Sequence, residues 1–125
     1  MTKRSLVCIV DDNESVREAL PDLVRDAGYD VQSFASAEQF LRSPAVDQAA
    51  CLVLDVGLSG MSGPDLHAEL LRQGRRVPVV FITAQGDRTL PARLIAAGAA
   101  ACLLKPFSDT ALVEALDNAC NGVQP

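Results

Sequence analysis

The stretch "SLVCIVDDN" at residues 5–13 joins a run of apolar residues to two adjacent carboxylates. The apolar part, residues 6–10, has the length and composition of a buried strand. Asp11 and Asp12 follow at the point where such a strand leaves the core. Two like charges side by side repel each other, so we expect another group to use this negative charge. Residues that end the other predicted strands are candidates for that group.

The composition predicts one α/β domain. The chain has 125 residues, enough for a single core, and 49% of them are hydrophobic. Only 4% are aromatic and tryptophan is absent, so the core is expected to consist mainly of Val, Leu, Ile and Ala. Such a core is typical of parallel strands covered by helices on both faces. We therefore expect one domain over residues 1–125.

Apolar runs alternate with helical patterns along the chain. After residues 6–10, the predicted strands are "YDVQSF" (29–34), "CLVLDV" (51–56), "PVVFIT" (78–83) and "AACLL" (100–104). The first predicted helix ends at Gly28. The second and third begin at capping patterns, Ser36 with Gln39 and Ser62 with Asp65. The fourth and fifth cover about 90–98 and 108–120. This alternation predicts a doubly wound, flavodoxin-like parallel sheet in the order 2-1-3-4-5.

Polar side chains follow four of the predicted strands. Asp11 and Asp12 end the first, Asp55 the third, Thr83 the fourth and Lys105 the fifth. Each has an ordinary explanation when taken alone, since aspartates cap helices and lysines extend from strand ends. In a doubly wound sheet, however, the ligand crevice lies at the carboxyl ends of the strands. Their joint occurrence there favours a functional site.

These residue types together indicate phosphoryl transfer. Three carboxylates in a small volume need a cation, and a hard oxygen site with few acids suits Mg²⁺. Lys105 and the Thr83 hydroxyl would then serve an incoming anion. The central Asp55 is the predicted nucleophile, forming an aspartyl phosphate. Asp11 and Asp12 are accordingly predicted to hold the metal.

The net charge, the lack of long apolar stretches and the cysteine spacing argue against several classes of function. A net charge of -5 with scattered basic residues argues against contact with nucleic acid by this chain. No stretch approaches the roughly 20 apolar residues of a membrane span, and the N-terminus lacks a signal-peptide core. None of the four cysteines forms a C-x-x-C pair, which favours reduced core thiols and a cytoplasmic protein. His67, which fits no motif, is interpreted as an ordinary surface or boundary histidine.

Four motifs give the chain a strong resemblance to one family. They are "VDDN" (10–13), "LDVGLSGMSG" (54–63), "FITAQGD" (81–87) and "LLKPF" (103–107). Nearly the whole chain resembles the receiver domains of bacterial two-component response regulators. The resemblance implies that Asp55 is the phosphoacceptor, and that Asp11, Asp12 and the backbone carbonyl of Gly57 surround Mg²⁺.

The same resemblance implies roles for residues farther along the chain. Thr83 is similar to the switch hydroxyl and Lys105 to the lysine that contacts the phosphoryl group, with a cis Lys105–Pro106 bond. The implied phosphodonor is a sensor histidine kinase. The phrases "SFASAEQFL" and "GMSGPDL" are most similar to receivers attached to helix-turn-helix transcription factors. The expected partners therefore include an output domain, fused or separate, or a second copy of the chain, but no membrane.

The sequence departs from the family pattern at two positions. Cys102 stands where the family usually has the rotating aromatic of the switch, which predicts a weak switch in which Thr83 and the 84–90 loop move without a ring behind them. Ser59 stands where the loop after the phosphoacceptor usually carries proline, which predicts a less constrained 57–63 loop. Neither change removes a residue of the phosphorylation chemistry.

Three other functions are alternatives for such a sequence. One is an atypical receiver that acts mainly as a protein-interaction module. Another is a small aspartate-based phosphatase, but that class resembles proteins with a second Asp two residues after the nucleophile, where this chain has Gly57. A flavin- or nucleotide-binding module would need a glycine- or hydroxyl-rich loop after the first strand, and carboxylates there repel phosphate.

Overall fold

The computed structural model describes residues 4–84 and 89–120. Strands and helices alternate through these residues. Their bounds are β1 (Leu6–Val10), α1 (Glu14–Asp26), β2 (Asp30–Phe34), α2 (Ala37–Leu41), β3 (Ala49–Asp55), α3 (Gly63–Arg72), β4 (Val79–Thr83), α4 (Leu90–Ala96), β5 (Ala101–Leu104) and α5 (Asp109–Cys120). A short 3₁₀ helix, Pro44–Asp47, precedes β3.

The five strands form one parallel sheet in the order β2-β1-β3-β4-β5. The predicted fold class and strand order are confirmed. β3 starts at Ala49 rather than at Cys51, because Leu6 pairs with Ala49 across an irregularity in the β1–β3 ladder. β2 is added on one side of β1, whereas β3 and the later strands are added on the other side. Such a switch point leaves a crevice at the carboxyl ends of β1 and β3.

Helices cover both faces of the sheet. On one face, α1 and α5 pack against the side chains of alternate strand residues, with Val24, Leu112 and Leu116 fully buried. On the other face, α2, α3 and α4 contribute Phe40, Leu66, Leu70 and Leu94. The alternation of strand side chains between two apolar layers explains why the strands are nearly continuous hydrophobic runs.

The helix ends largely follow the sequence signals. Ser62 caps α3 as predicted, and together with Asp65 it forms a full capping box. Ser36 caps α2 by accepting from the Gln39 amide, but the Gln39 side chain accepts from the Ala35 amide instead of that of Ser36. Among the described residues, no helix is long and apolar enough to cross a bilayer.

His67 is more deeply placed than the sequence indicated. It is buried in α3, and its ring packs edge-on against Phe81 of β4 with 5.8 Å between the centroids. The expectation of a surface or boundary histidine was wrong, because α3 turns this position toward the sheet. Burial lowers the pKa of the imidazole, so the neutral ring is favoured in the core.

Candidate functional site

Three carboxylates meet at the carboxyl edge of the sheet. Because Val10 of β1 pairs with Leu54 of β3, the next residues of the two strands, Asp11 and Asp55, lie side by side. Asp12 follows directly. One oxygen from each of the three carboxylates lies within 4.8 Å of the others. The sequence prediction that these acids converge is confirmed.

The three acids differ in exposure. The side chain of Asp11 is 2% exposed, that of Asp55 is 13% exposed, and Asp12 lies at the surface. Asp11 Oδ1 accepts the Asn13 amide at 2.9 Å, whereas its Oδ2 is buried and has no hydrogen-bond partner among the described residues. A buried carboxylate oxygen without a hydrogen bond is costly unless a cation lies near it.

Lys105 brings one positive charge to this cluster. Its Nζ lies 3.9 Å from Asp11 Oδ2 and also 3.9 Å from Asp55 Oδ1. The Lys105 amide donates to the Thr83 carbonyl at 2.9 Å, which joins the ends of β4 and β5. The Lys105–Pro106 peptide bond is cis, as the family resemblance implies. One ammonium between two carboxylates leaves the cluster with excess negative charge.

The environment shifts the acidity of Asp55. Burial raises the pKa of this carboxyl, and the charge of Asp11 raises it further, while Lys105 opposes both effects. A hydrogen bond from the Gly57 backbone also favours the ionised form. A bound divalent cation would also favour the charged form of the carboxyl and keep Asp55 ionised.

The oxygen donors fit a hard divalent cation. Carboxylates and water are the ligands that Mg²⁺ prefers, and the cluster supplies carboxylates next to open solvent. Gly57 lies beside the site, since a Cβ built on it would stand 4.0 Å from Asp55 Oδ2. Asp11, Asp12 and Asp55 are therefore the residues that could hold a metal, with the Gly57 carbonyl as a further candidate ligand.

Thr83 ends β4 one residue beyond the pairing of Asp55 with Ile82. The threonine is buried, and its hydroxyl donates to the Ala84 carbonyl at 3.1 Å. A hydroxyl bonded to its own loop can be redirected toward an anion if one arrives. The loop expected to move with Thr83 contains residues 85–88, which lie outside the described residues.

Cys102 lies in β5, where it pairs in register with Phe81. It is half-buried and packs against the apolar layer under α2, α3 and α4. Burial raises the pKa of its thiol, which keeps it protonated. A small neutral side chain thus occupies the position where the family usually has an aromatic ring.

Sequence reasoning missed two contacts at the site. Ser59 donates to Asp12 Oδ2 from both its amide and its hydroxyl, each at 3.3 Å. Glu38 of α2 accepts the Met61 amide at 3.1 Å. The unusual serine was a signal for the first contact. No local pattern indicates the second, which joins residues distant in sequence.

Known proteins resemble this chain over most of its length. The family model described as response regulator receiver domain matches residues 7–117. Nodulation protein W of Bradyrhizobium diazoefficiens is 41% identical over 113 residues, which are 90% of this chain and 50% of that protein. Response regulator protein TodT of Pseudomonas putida is 38% identical over 91% of this chain and 50% of its own length. The chain spans about half the length of these curated relatives.

Solved structures agree with these sequence matches. The response regulator StyR is 41% identical with a TM-score of 0.87, covering 95% of this chain and 60% of that chain. The structure named FixJ-N is 34% identical with a TM-score of 0.86, covering 99% of both chains. Sequence, strand order and the placement of the acids lead to the same assignment. The chain belongs to the receiver domains of two-component response regulators.

Proposed function

We propose that this receiver domain accepts a phosphoryl group on Asp55 from a sensor histidine kinase, in a reaction that requires Mg²⁺. The observation that carries the proposal is the position of the Asp55 carboxylate. It lies 3.9 Å from Lys105 and within 4.8 Å of the other two acids. The proposed nucleophile, the lysine that would bind the transferred group and the proposed metal site therefore lie side by side.

In the proposed reaction, an ionised Asp55 oxygen attacks the phosphorus atom in line with the bond to the donor imidazole. The new P–O bond forms as the P–N bond breaks, and the imidazole leaves with the electron pair. Lys105 binds an oxygen of the transferred group, while the Thr83 hydroxyl turns from Ala84 to donate to another. Mg²⁺, held by Asp11, Asp12 and Asp55, would neutralise part of the negative charge of the carboxylates and of the incoming phosphoryl group.

The residues around Asp55 favour a regulatory role over turnover of other substrates. An aspartate-based phosphatase would need a second acid to protonate its leaving group, and Gly57 offers none. The proposed chemistry of this domain is therefore limited to its own phosphorylation and dephosphorylation. No geometric feature of the described residues favours a purely structural interaction module.

The proposed output is a change in the surface around β4 and β5. Movement of Thr83 toward the phosphoryl group would pull on the chain that follows β4. The longer relatives include proteins named as transcriptional regulatory proteins. We therefore propose that the changed surface binds a fused or separate output domain or a second copy of the chain. All four cysteines are free, which supports the proposed cytoplasmic location.

Incubation with acetyl phosphate and Mg²⁺ tests the proposal. Intact-mass spectrometry should show one added phosphoryl group on the parent chain and on Asp22→Asn, which changes an exposed acid of α1. Asp55→Asn should remain unmodified under the same conditions. Equal modification of Asp55→Asn would show that another residue accepts the phosphoryl group.

A further inference from the structure

The loop over the acidic site, residues 56–62, leads from the end of β3 to the cap of α3. The Val56 amide donates to the Ile82 carbonyl at 2.9 Å at its start, and Ser62 caps α3 at its end. Leu58, within the loop, has a buried side chain. Between these fixed points, the loop is hydrogen-bonded to Asp12 and to Glu38.

Ser59 makes the contact with Asp12. Its amide and its hydroxyl both donate to the same carboxylate oxygen, Oδ2, at 3.3 Å. A proline at this position would have neither an amide hydrogen nor a hydroxyl, so it could form neither bond. The serine therefore ties the loop directly to an acid of the metal site.

Glu38 makes the second contact with the loop. Its Oε2 accepts the Met61 amide at 3.1 Å, and a Cβ on Gly60 would stand 3.0 Å from the same oxygen. Gly60 has a φ of +74°, which allows the turn to bring this amide toward the carboxylate. The loop is thus bonded to α2 within two residues of its bond to Asp12.

We propose that Ser59 is a positioning residue for the metal ligand Asp12, and that Glu38 supports it by fixing the loop. This inference rests on the proposed Mg²⁺ site. Asp12 lies at the surface, where an unrestrained carboxylate rotates freely. Two donors on Oδ2 restrict that rotation and leave Oδ1 available to a cation. Ordering the ligand before the metal arrives reduces the entropy lost on binding.

Calorimetric titration of the metal-free protein with MgCl₂ tests the inference without measuring phosphorylation. Ser59→Ala loses one donor and should weaken Mg²⁺ binding about threefold, whereas Ser59→Pro loses both and should weaken it about tenfold. These values lie at or below the lower end for residues that orient metal ligands, because both bonds are long and exposed. Ser59→Thr keeps both donors and should bind like the parent chain.

Two controls separate positioning from general damage. Ser43→Ala removes a hydroxyl that caps the 3₁₀ helix far from the acids, and it should leave Mg²⁺ affinity unchanged. Glu38→Ala releases the Met61 amide and should weaken binding, while Glu38→Gln keeps an acceptor oxygen and should restore it. The melting temperature of each metal-free variant shows whether the fold is intact. If Ser59→Pro does not fold, the contrast of Ser59→Ala with Ser59→Thr decides.

The outcomes are distinguishable from failure of the proposed function. A parent chain that does not bind Mg²⁺ overturns the metal site and this inference with it. A parent chain that binds, with Ser59→Ala and Ser59→Pro of equal or higher affinity, overturns the inference alone. Tighter binding in these variants would show that the serine competes with the metal for Asp12.

Discussion

Gly63, the first residue of α3, lies against the backbone of Asp55. A Cβ built on Gly63 would stand 2.4 Å from the carbonyl oxygen of Asp55 and 3.2 Å from Phe81 Cε1. Neither neighbour can easily move, because one is backbone at the end of β3 and the other is a fully buried ring. The start of α3 can therefore lie next to Asp55 only with glycine at this position.

Gly63→Ala should destabilise the fold by about 1–3 kcal/mol, as expected for overpacking of a close contact. It should also slow phosphorylation, because relief of the clash displaces Asp55. Chemical denaturation and the rate of acetyl phosphate labelling measure the two effects. Gly57→Ala is the matched control for stability alone, since its Cβ would meet Asp55 Oδ2 at 4.0 Å and its φ is not positive. A Gly63→Ala variant as stable as the control would contradict the close contact.

Asp55→Asn should stabilise the metal-free fold at neutral pH. Burial and the charge of Asp11 raise the pKa of Asp55 in the folded state, so its ionised form opposes folding. As the pH falls through the raised folded pKa, the native state takes up a proton and this destabilisation is relieved. The advantage of Asp55→Asn should therefore be present at pH 7 and shrink toward acid pH.

Melting temperatures in EDTA between pH 4 and pH 7 measure this effect. Each 1 kcal/mol of relief corresponds to roughly 4 °C for a domain of this size. Asp22→Asn, which removes an exposed acid of α1, should show no such pH-dependent gain. A loss of stability in Asp55→Asn at pH 7 would mean that the charge of Asp55 is favourable to the fold.

Mg²⁺ should stabilise the parent chain. A ligand at 100 times its dissociation constant adds about 2.7 kcal/mol, which is roughly 10 °C in melting temperature. The physical reason is relief of repulsion among the three acids and pairing of the buried Asp11 Oδ2. Asp12→Ala should reduce the shift strongly, and Asp22→Asn should retain it. An unchanged melting point in the parent would argue against the metal site.

The four cysteines should differ in their rates of alkylation. Burial raises the pKa of Cys8 to about 12 and also raises that of Cys102. A hydrogen bond between the Cys51 and Cys120 thiols raises the pKa of Cys51 and lowers that of Cys120. Because the thiolate is the reactive form and Cys120 is only half-buried, Cys120 should be modified first.

Iodoacetamide labelling followed by peptide mass mapping measures this order. Cys51→Ala removes the thiol that lowers the Cys120 pKa, so Cys120 should react more slowly in that variant. Cys8→Ala is the control, because it removes a buried thiol from the opposite face of the sheet. Labelling of Cys102 before Cys120 would contradict the expected difference in acidity.

The sheet and its acids could be predicted because both depend on local patterns. Alternating elements fix a parallel sheet, and parallel strands place Asp11 and Asp55 at the same edge. The burial of His67 was missed, because the pattern of apolar residues does not show whether a polar residue of α3 faces the sheet or the solvent. The bonds of Ser59 and Glu38 were also missed, because they join a loop to residues more than twenty positions away. Such contacts depend on tertiary packing rather than on nearby sequence.

Phosphorylation is expected to change the end of β4 more than β5, because β5 carries Cys102 in place of an aromatic ring. Cys102 of β5 pairs in register with Phe81 of β4, and its thiol cannot occupy the volume of an aromatic ring. When Thr83 turns toward a phosphoryl group, no ring follows it, so exchange of backbone hydrogens in β5 should change little. The change should be concentrated at the end of β4, where Thr83 gives up its bond to Ala84.

Hydrogen exchange with and without beryllofluoride, a phosphoryl mimic, tests this weak switch. Cys102→Tyr restores an aromatic side chain and should enlarge the change at residues 101–104, while Cys102→Ala should behave like the parent. Both variants bind the mimic if Asp55 and Lys105 are unaffected, so labelling at the end of β4 serves as the internal reference. A parent chain in which β5 changes as much as residues 82–84 would show that the signal crosses this strand without a ring.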